Sequence, residues 1–365
     1  MAAGPIKRFL LRLPGFEGAC LRLTRDRERV LMYHRFTDDA AAEPDATPAD
    51  RFARQLDLLQ ARCQVVGPAA LVDQEEGRRP RSRRPLAVVT VDDGYADFER
   101  VAFPVLRERG LPAVLFVTTG FVAGRSWMWW DKVHFALARA GTAEAAVTVA
   151  GRTVRGPLRT RAERGAFWFR LVPALRFVPD ERKEEVIADL AGQLGVTLPA
   201  APPAEFAAST WDGIAAMARA GIVMGAHTRT HPILSRVDGE RARQEIEGSR
   251  DDLAGQLGEP VRWFAYPQGG PADYDDETVA IVAGAGFDRA WVAYADPALG
   301  DHPYRRPRHM VPADLDEFRW SVCGAEHLVL RLKAALGRPT GVSDGYWTGS
   351  DLAAALNAEG KEESA

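Results

Sequence analysis

The stretch Leu86–Tyr95, LAVVTVDDGY, constrains the fold of this chain more than any other. Leu86, Ala87, Val88, Val89 and Val91 are apolar on both alternating faces, as a strand covered on both sides of its sheet must be. Such sheets are parallel, and parallel strands need long crossovers, so the run predicts an α/β protein. It ends in two adjacent carboxylates, Asp92 and Asp93, followed by Gly94. Two like charges at the rim of a core are costly unless a proton or a cation offsets them. One reading is a turn, since Asp and Gly end strands. The other is a metal or acid–base site at the carboxyl end of a strand, where α/β enzymes place their chemistry. The stretch alone admits both.

The remaining segments extend the same alternation. Arg29–His34, Ala113–Thr118, Ile222–Ala226, Arg262–Tyr266, Arg289–Ala293 and Arg308–Val311 read as strands. Amphipathic helices separate them, one carrying Phe52, Leu56 and Leu59, with Thr47 expected as its N-cap and Pro48 at its first position. About seven strands with intervening helices suit a (β/α) barrel better than two domains. Residues 121–208 break the rhythm and read as a largely helical insertion, with a hairpin at Val147–Val154 and a helix at Glu184–Leu194. The expected organisation is an N-terminal surface or interfacial segment (1–28), a barrel (29–315) and a C-terminal extension (316–365) with a disordered end at Glu359–Ala365.

Composition narrows the function classes. Lys and Arg number 47 against 50 Asp and Glu, so no basic field points to nucleic acid. The basic loop Gly77–Pro85 reads as a solvated connector. Three scattered cysteines, Cys20, Cys63 and Cys323, make neither a disulfide framework nor a CxxC site, which suggests a reducing, cytoplasmic setting. No apolar run has the length of a membrane span, and Ile6–Leu13 lacks the apolar core of a signal peptide. That segment reads as a surface helix, or as an interfacial one setting Lys7, Arg8 and Arg12 against anionic lipid.

Two further stretches carry chemistry. In GIVMGAHTRTHP, Gly221–Pro232, His227 leaves a strand at its carboxyl end and His231 follows four residues on. Two imidazoles at that spacing converge on one ion if the residues between them make a single turn, and Pro232 prevents an undisturbed helix. Two histidines, one carboxylate and an open position form a catalytic rather than a structural zinc arrangement. In Phe264–Gly270, FAYPQGG, a strand ends in a tight turn, which reads as plain turn chemistry or as a loop aiming backbone N–H groups at a reacting oxygen.

TVDDGY, HTRTHP and FAYPQGG, in this order and spacing, resemble the polysaccharide deacetylase (NodB-homology) family of carbohydrate esterases, and Tyr33-His34 fits one of its branches. The resemblance spans about Val30 to Val311. It implies a distorted, incomplete (β/α)7 barrel, a divalent metal, most simply Zn, and as substrate an N-acetylated glycan or its lipid-linked precursor. Asp92 matches the catalytic base, and Asp93, His227 and His231 the metal triad. Tyr266 and His34 are the candidates for substrate or oxyanion contact. The chain lacks a Leu-x-His near its C-terminus to supply the family's general acid; His309 is the best-placed substitute, reading equally as a surface histidine in a basic loop, His34 is another candidate, and Arg308 is the residue to orient Asp92. Consecutive strand residues face opposite ways, so both aspartates serve one site only if the strand breaks between them. Two other readings fit the motifs: a non-catalytic carbohydrate binder, and a hydrolase of formamides or cyclic ureides. Trp127, Trp129 and Trp130 read as sugar-stacking groups or as core.

Overall fold

A computed structural model describes residues 4–338 except 41–45, 150, 297–298 and 300. The expected disordered end at Glu359–Ala365 lies outside the described residues. Seven parallel strands form the principal sheet: β1 (Arg29–Tyr33), β2 (Leu86–Val91), β3 (Val114–Val117), β4 (Val223–Ala226), β5 (Trp263–Ala265), β6 (Arg289–Trp291) and β7 (His309–Met310). Their spatial order is β6-β5-β4-β3-β2-β1-β7, and a two-residue strand, Gln64–Val65, pairs with the foot of β2. The sheet curls until its two edges nearly meet. Val292 N donates to Arg306 O and Arg306 N to Ala290 O, each at 2.9 Å, just before the chain enters β7 beside β1. These isolated bonds, rather than a continuous strand ladder, join the two edges, so the fold is an incomplete (β/α) barrel.

Alternation along the strands sorts side chains into two cores. Val30, Val88, Val114, Phe116, Trp263 and Trp291 fill the inside of the curl, closed at the strands' amino ends by Leu71 and Val72 of helix Pro68–Glu75. Leu31, Val89, Val91, Leu115 and Phe264 face outward against the helices, including Phe52, Leu56 and Leu59. On β2 the inward set is therefore Val88, Thr90 and Asp92; on β1 it continues to His34 and on β4 to His227.

Several local expectations change. Thr47 does not cap a helix: Thr47-Pro48 pairs in parallel with Phe36-Thr37, and the helix Ala49–Arg62 begins after extended Pro48 with no side-chain cap. The helix after β2 opens with π-helical geometry over Phe98–Ala102. In the insertion, the hairpin is longer, Glu144–Val149 with Arg152–Pro157, and a helix at Arg161–Leu175 was not foreseen. Trp129, Val133, Leu137, Phe167, Leu171 and Ile187 give the insertion its own core. At the termini, helices Pro5–Arg12 and Phe16–Leu23 pack with Leu315–Cys323 and Ala325–Ala335. Among the described residues no helix is long and apolar enough to cross a membrane.

Candidate active site

The strand does break where two facing aspartates require it. Asp92 directly follows β2 and keeps its inward parity, its N–H donating to Tyr33 O at 3.0 Å. Asp93 takes φ +80° and Gly94 φ +93°, a left-handed turn that rotates the second carboxylate back toward the inside. Thr118 N, just beyond β3, donates to Asp93 O at 3.1 Å and holds the turn.

The histidines reach the same place by a similar device. His227 follows β4 on the inward face, then Thr228 (φ +62°) and His231 (φ +59°) bend the HTRTH loop so that both imidazoles return to Asp93. Asp93 Oδ1 lies 3.6 Å from His227 Nε2 and 3.4 Å from His231 Nε2, and all three side chains are buried. These separations exceed a direct N–H···O hydrogen bond. They match the spacing of about 3.4 Å between donors that share a tetrahedral ion at about 2.1 Å. His227 Nδ1–H donates to Ala265 O at 2.7 Å, which leaves Nε2 as a free lone pair facing Asp93. Asp93 Oδ1 is buried with no hydrogen-bond donor. Burial, then Asp92 and Asp131, push the Asp93 pKa well above the carboxylate range, and burial drives His231 well below and His227 down to about 4. Two neutral imidazoles around an orphaned carboxylate oxygen fit a divalent cation.

Asp92 is the opposite case. Arg308 donates Nη1 to Asp92 Oδ1 at 2.6 Å and Nη2 to Oδ2 at 2.8 Å, in a fully buried bidentate pair. Arg308 Nε donates to Val292 O at 3.1 Å, so the guanidinium is anchored across the barrel seam. Burial alone would raise the Asp92 pKa, but Arg308, with His227 and His34 adding to it, holds it at about 2. The two neighbouring aspartates thus have opposed electrostatics. His34 Nε2 lies 3.9 Å from Asp92 Oδ2, and its side chain is 45% accessible where Asp92 is buried.

Two expected residues are placed elsewhere. His309 opens β7 directly after inward-facing Arg308 and therefore faces outward, where its Nδ1 lies 3.4 Å from Glu326 Oε2 on helix Ala325–Ala335. Tyr266 is also of outward parity: its ring stacks on Tyr274, its hydroxyl donates to Tyr304 O at 3.0 Å, and its N–H is donated to Trp291 O at 3.1 Å. Neither group is directed at Asp92 or Asp93.

Supporting residues were not visible in the sequence. Glu245, buried on helix Gly239–Leu257, accepts Arg229 N and Thr230 N, both at 2.8 Å, and Thr230 Oγ1 at 2.7 Å, clamping the loop between the two histidines. The insertion reaches the site through Trp130, whose ring meets His231 edge-on at 4.7 Å between centroids, while Trp127 and Trp129 are core. Beside it Tyr95 OH donates to Asp131 Oδ2 at 2.6 Å, and burial raises the Asp131 pKa to about 7.

Residues 181–290 match the family model for polysaccharide deacetylase. No curated protein matches the chain. Solved structures that share its fold include the following three. IcaB from Ammonifex degensii is 22% identical with a TM-score of 0.51, the match covering 82% of this chain and 96% of that one. The deacetylase PplD of Streptococcus pyogenes is 17% identical with a TM-score of 0.53, covering 81% and 97%. A de-N-acetylase from Aggregatibacter actinomycetemcomitans is 17% identical with a TM-score of 0.50, covering 80% and 99%. In its fold, and in sequence over residues 181–290, the chain is similar to the polysaccharide deacetylases.

Proposed function

We propose that the protein is a metal-dependent hydrolase that removes an N-acetyl group from an amino sugar of a glycan. One observation carries the reading: an orphaned Asp93 oxygen shared by two neutral imidazoles lies next to a second carboxylate kept ionised by Arg308. Asp93, His227 and His231 would hold the ion, and this donor set suits Zn. Such an ion supplies Lewis acidity, polarising an amide carbonyl and making water nucleophilic at neutral pH. Asp92, ionised throughout the neutral range, takes the proton from the attacking water. Arg308 keeps that carboxylate oriented and limits its basicity until the proton arrives. His34 is the accessible imidazole beside Asp92, and in this reading it contacts substrate and relays to the leaving amine the proton that Asp92 has taken from water. The PplD structure, which shares the fold, was determined in complex with acetate, the acid such a reaction releases.

The test is acetate release from N-acetylhexosamine oligomers by metal-loaded protein. Release that needs metal and is lost in His231→Ala supports the reading. A folded wild-type protein that takes up no divalent ion at micromolar concentration overturns it.

A further inference from the structure

Nine large apolar side chains are exposed among the described residues, and seven of them lie on three neighbouring helices at the chain termini. Ile6, Phe9 and Leu13 follow the spacing i, i+3, i+7 on and just past helix Pro5–Arg12. Val329, Leu332 and Leu336 repeat that spacing on helix Ala325–Ala335, and Leu23 ends the helix Phe16–Leu23 that touches both. A stripe of this kind normally faces a core. Here the core contacts are made by other residues of the same helices, Leu11, Cys20 and Ala325, which pack on Trp320. The first and last of these helices therefore each have one apolar face satisfied and one facing water, and Leu23 adds to the exposed set.

Charge identifies what would cover the second face. Residues 4–28 and 325–338 hold nine Lys and Arg against four Asp and Glu, in a chain of net charge −3. Three of those four acids point inward: Glu17 to Arg62 and Arg319, Glu28 to Arg306, Glu326 to His309 and Ser321. Arg12, Arg22, Arg331 and Lys333 have no acidic partner among the described residues. A second copy of the chain would bring this same positive face against itself, which opposes a symmetric dimer. An apolar surface interleaved with unpaired cations suits a lipid–water boundary, where apolar side chains enter the acyl region and cations meet headgroups. We propose that this three-helix face docks on a bilayer carrying anionic lipid. The inference stands independently of the proposed reaction.

Arg29, at the amino end of β1, donates to Val322 O and to Thr24 Oγ1, so the terminal helices join the barrel at the end opposite Asp92. Docking by this face leaves the site open to the aqueous side.

The test is flotation of the full chain with vesicles of phosphatidylcholine alone or mixed with phosphatidylglycerol. Binding is expected only to the mixed vesicles and weakens with added salt. The variant Ile6→Glu/Phe9→Glu/Leu332→Glu, with all three positions solvent-exposed, keeps its thermal transition and metal uptake but floats at least about tenfold less. Reversing Arg12 and Lys333 to Glu weakens binding to a similar extent, about fivefold per cation removed. Equal flotation with both vesicle types, or wild-type flotation by the triple variant, overturns the proposal. So does a solution dimer dissolved by Phe9→Glu, or vesicle binding that appears only once residues 339–365 are removed.

Discussion

Asp92 and Asp93 are adjacent in sequence yet opposite in electrostatics, and each predicts a different outcome. Asp92→Asn is expected to retain metal while the rate falls by about 10² to 10⁴, the usual range for losing a positioned proton acceptor. Metal content and acetate release on one sample check this. Removing the other side of the pair, Arg308→Met, leaves a buried carboxylate without its counter-ion and is expected to cost about 3–5 kcal/mol in thermal unfolding. The pH dependence has a definite sign. His227 is depressed from the ordinary 6.5 to about 4, so the unfolded chain binds its proton more readily. Its contribution is therefore full above about pH 6.5 and is lost as pH falls toward 4, roughly 3 kcal/mol in metal-free protein. Asp92, depressed from 3.8 to about 2, adds a second loss below about pH 4, roughly 2 kcal/mol. Asp131, raised to about 7, and Asp93, also raised, act with the opposite sign over the same window. The His227 loss is therefore read by comparing wild type with His227→Gln in denaturant titrations across pH 3–7 on chelator-treated protein, and equal pH slopes for the two contradict the His227 assignment. The two aspartates and two histidines were legible because residue type and short spacing restrict what they can do. His309 against Arg308 was not: which neighbour faces inward depends on the register of a two-residue strand, set by pairing with Leu31 and Met32 far away in sequence.

At the scale of elements, the barrel strands and the helices between them were legible, and the helices Phe16–Leu23, Arg161–Leu175, Leu315–Cys323 and Ala325–Ala335 were not. The strands are apolar runs buried on both sides, a pattern that little else produces. The surface helix expected at Ile6–Leu13 is present as Pro5–Arg12, whereas Arg161–Leu175 has a proline inside and Ala325–Ala335 has apolar residues on more than one face, so periodicity assigns those two poorly. The HTRTH loop shows how elements build a site beyond any motif. Its shape is imposed by Glu245 from a helix and by Gly120, whose N–H donates to Arg229 O at 2.7 Å. A Cβ at Gly120 would lie 2.4 Å from that carbonyl oxygen, so Gly120→Ala must displace the loop. Glu245→Gln exchanges one accepting oxygen for a donor facing other donors. It is expected to keep the fold and lower metal affinity by about 10- to 100-fold, measured by competition with a chromophoric chelator. Unchanged affinity would show that the loop holds its shape without the clamp.

For the molecule as a whole, the proposed metal at the unpaired Asp93 oxygen is expected to contribute to stability. With free metal at 100 times its dissociation constant the native state is expected to gain about 2.7 kcal/mol, seen as a higher calorimetric midpoint that chelator reverses. The insertion, with its own core and Trp130 against His231, ties a separate packing unit to the same site. The seam between β6 and β7 has a consequence for how the chain matures. β1 is made first, yet its second edge is paired by His309 and Met310, among the last barrel residues to leave the ribosome. Until then a hydrophobic strand edge is open to other chains, and Asp92 lacks Arg308. A nascent chain halted before Pro303 already has every proposed metal ligand, but it is expected to aggregate rather than bind metal. The order of synthesis makes the last short strand the step that closes the barrel and neutralises the buried charge together.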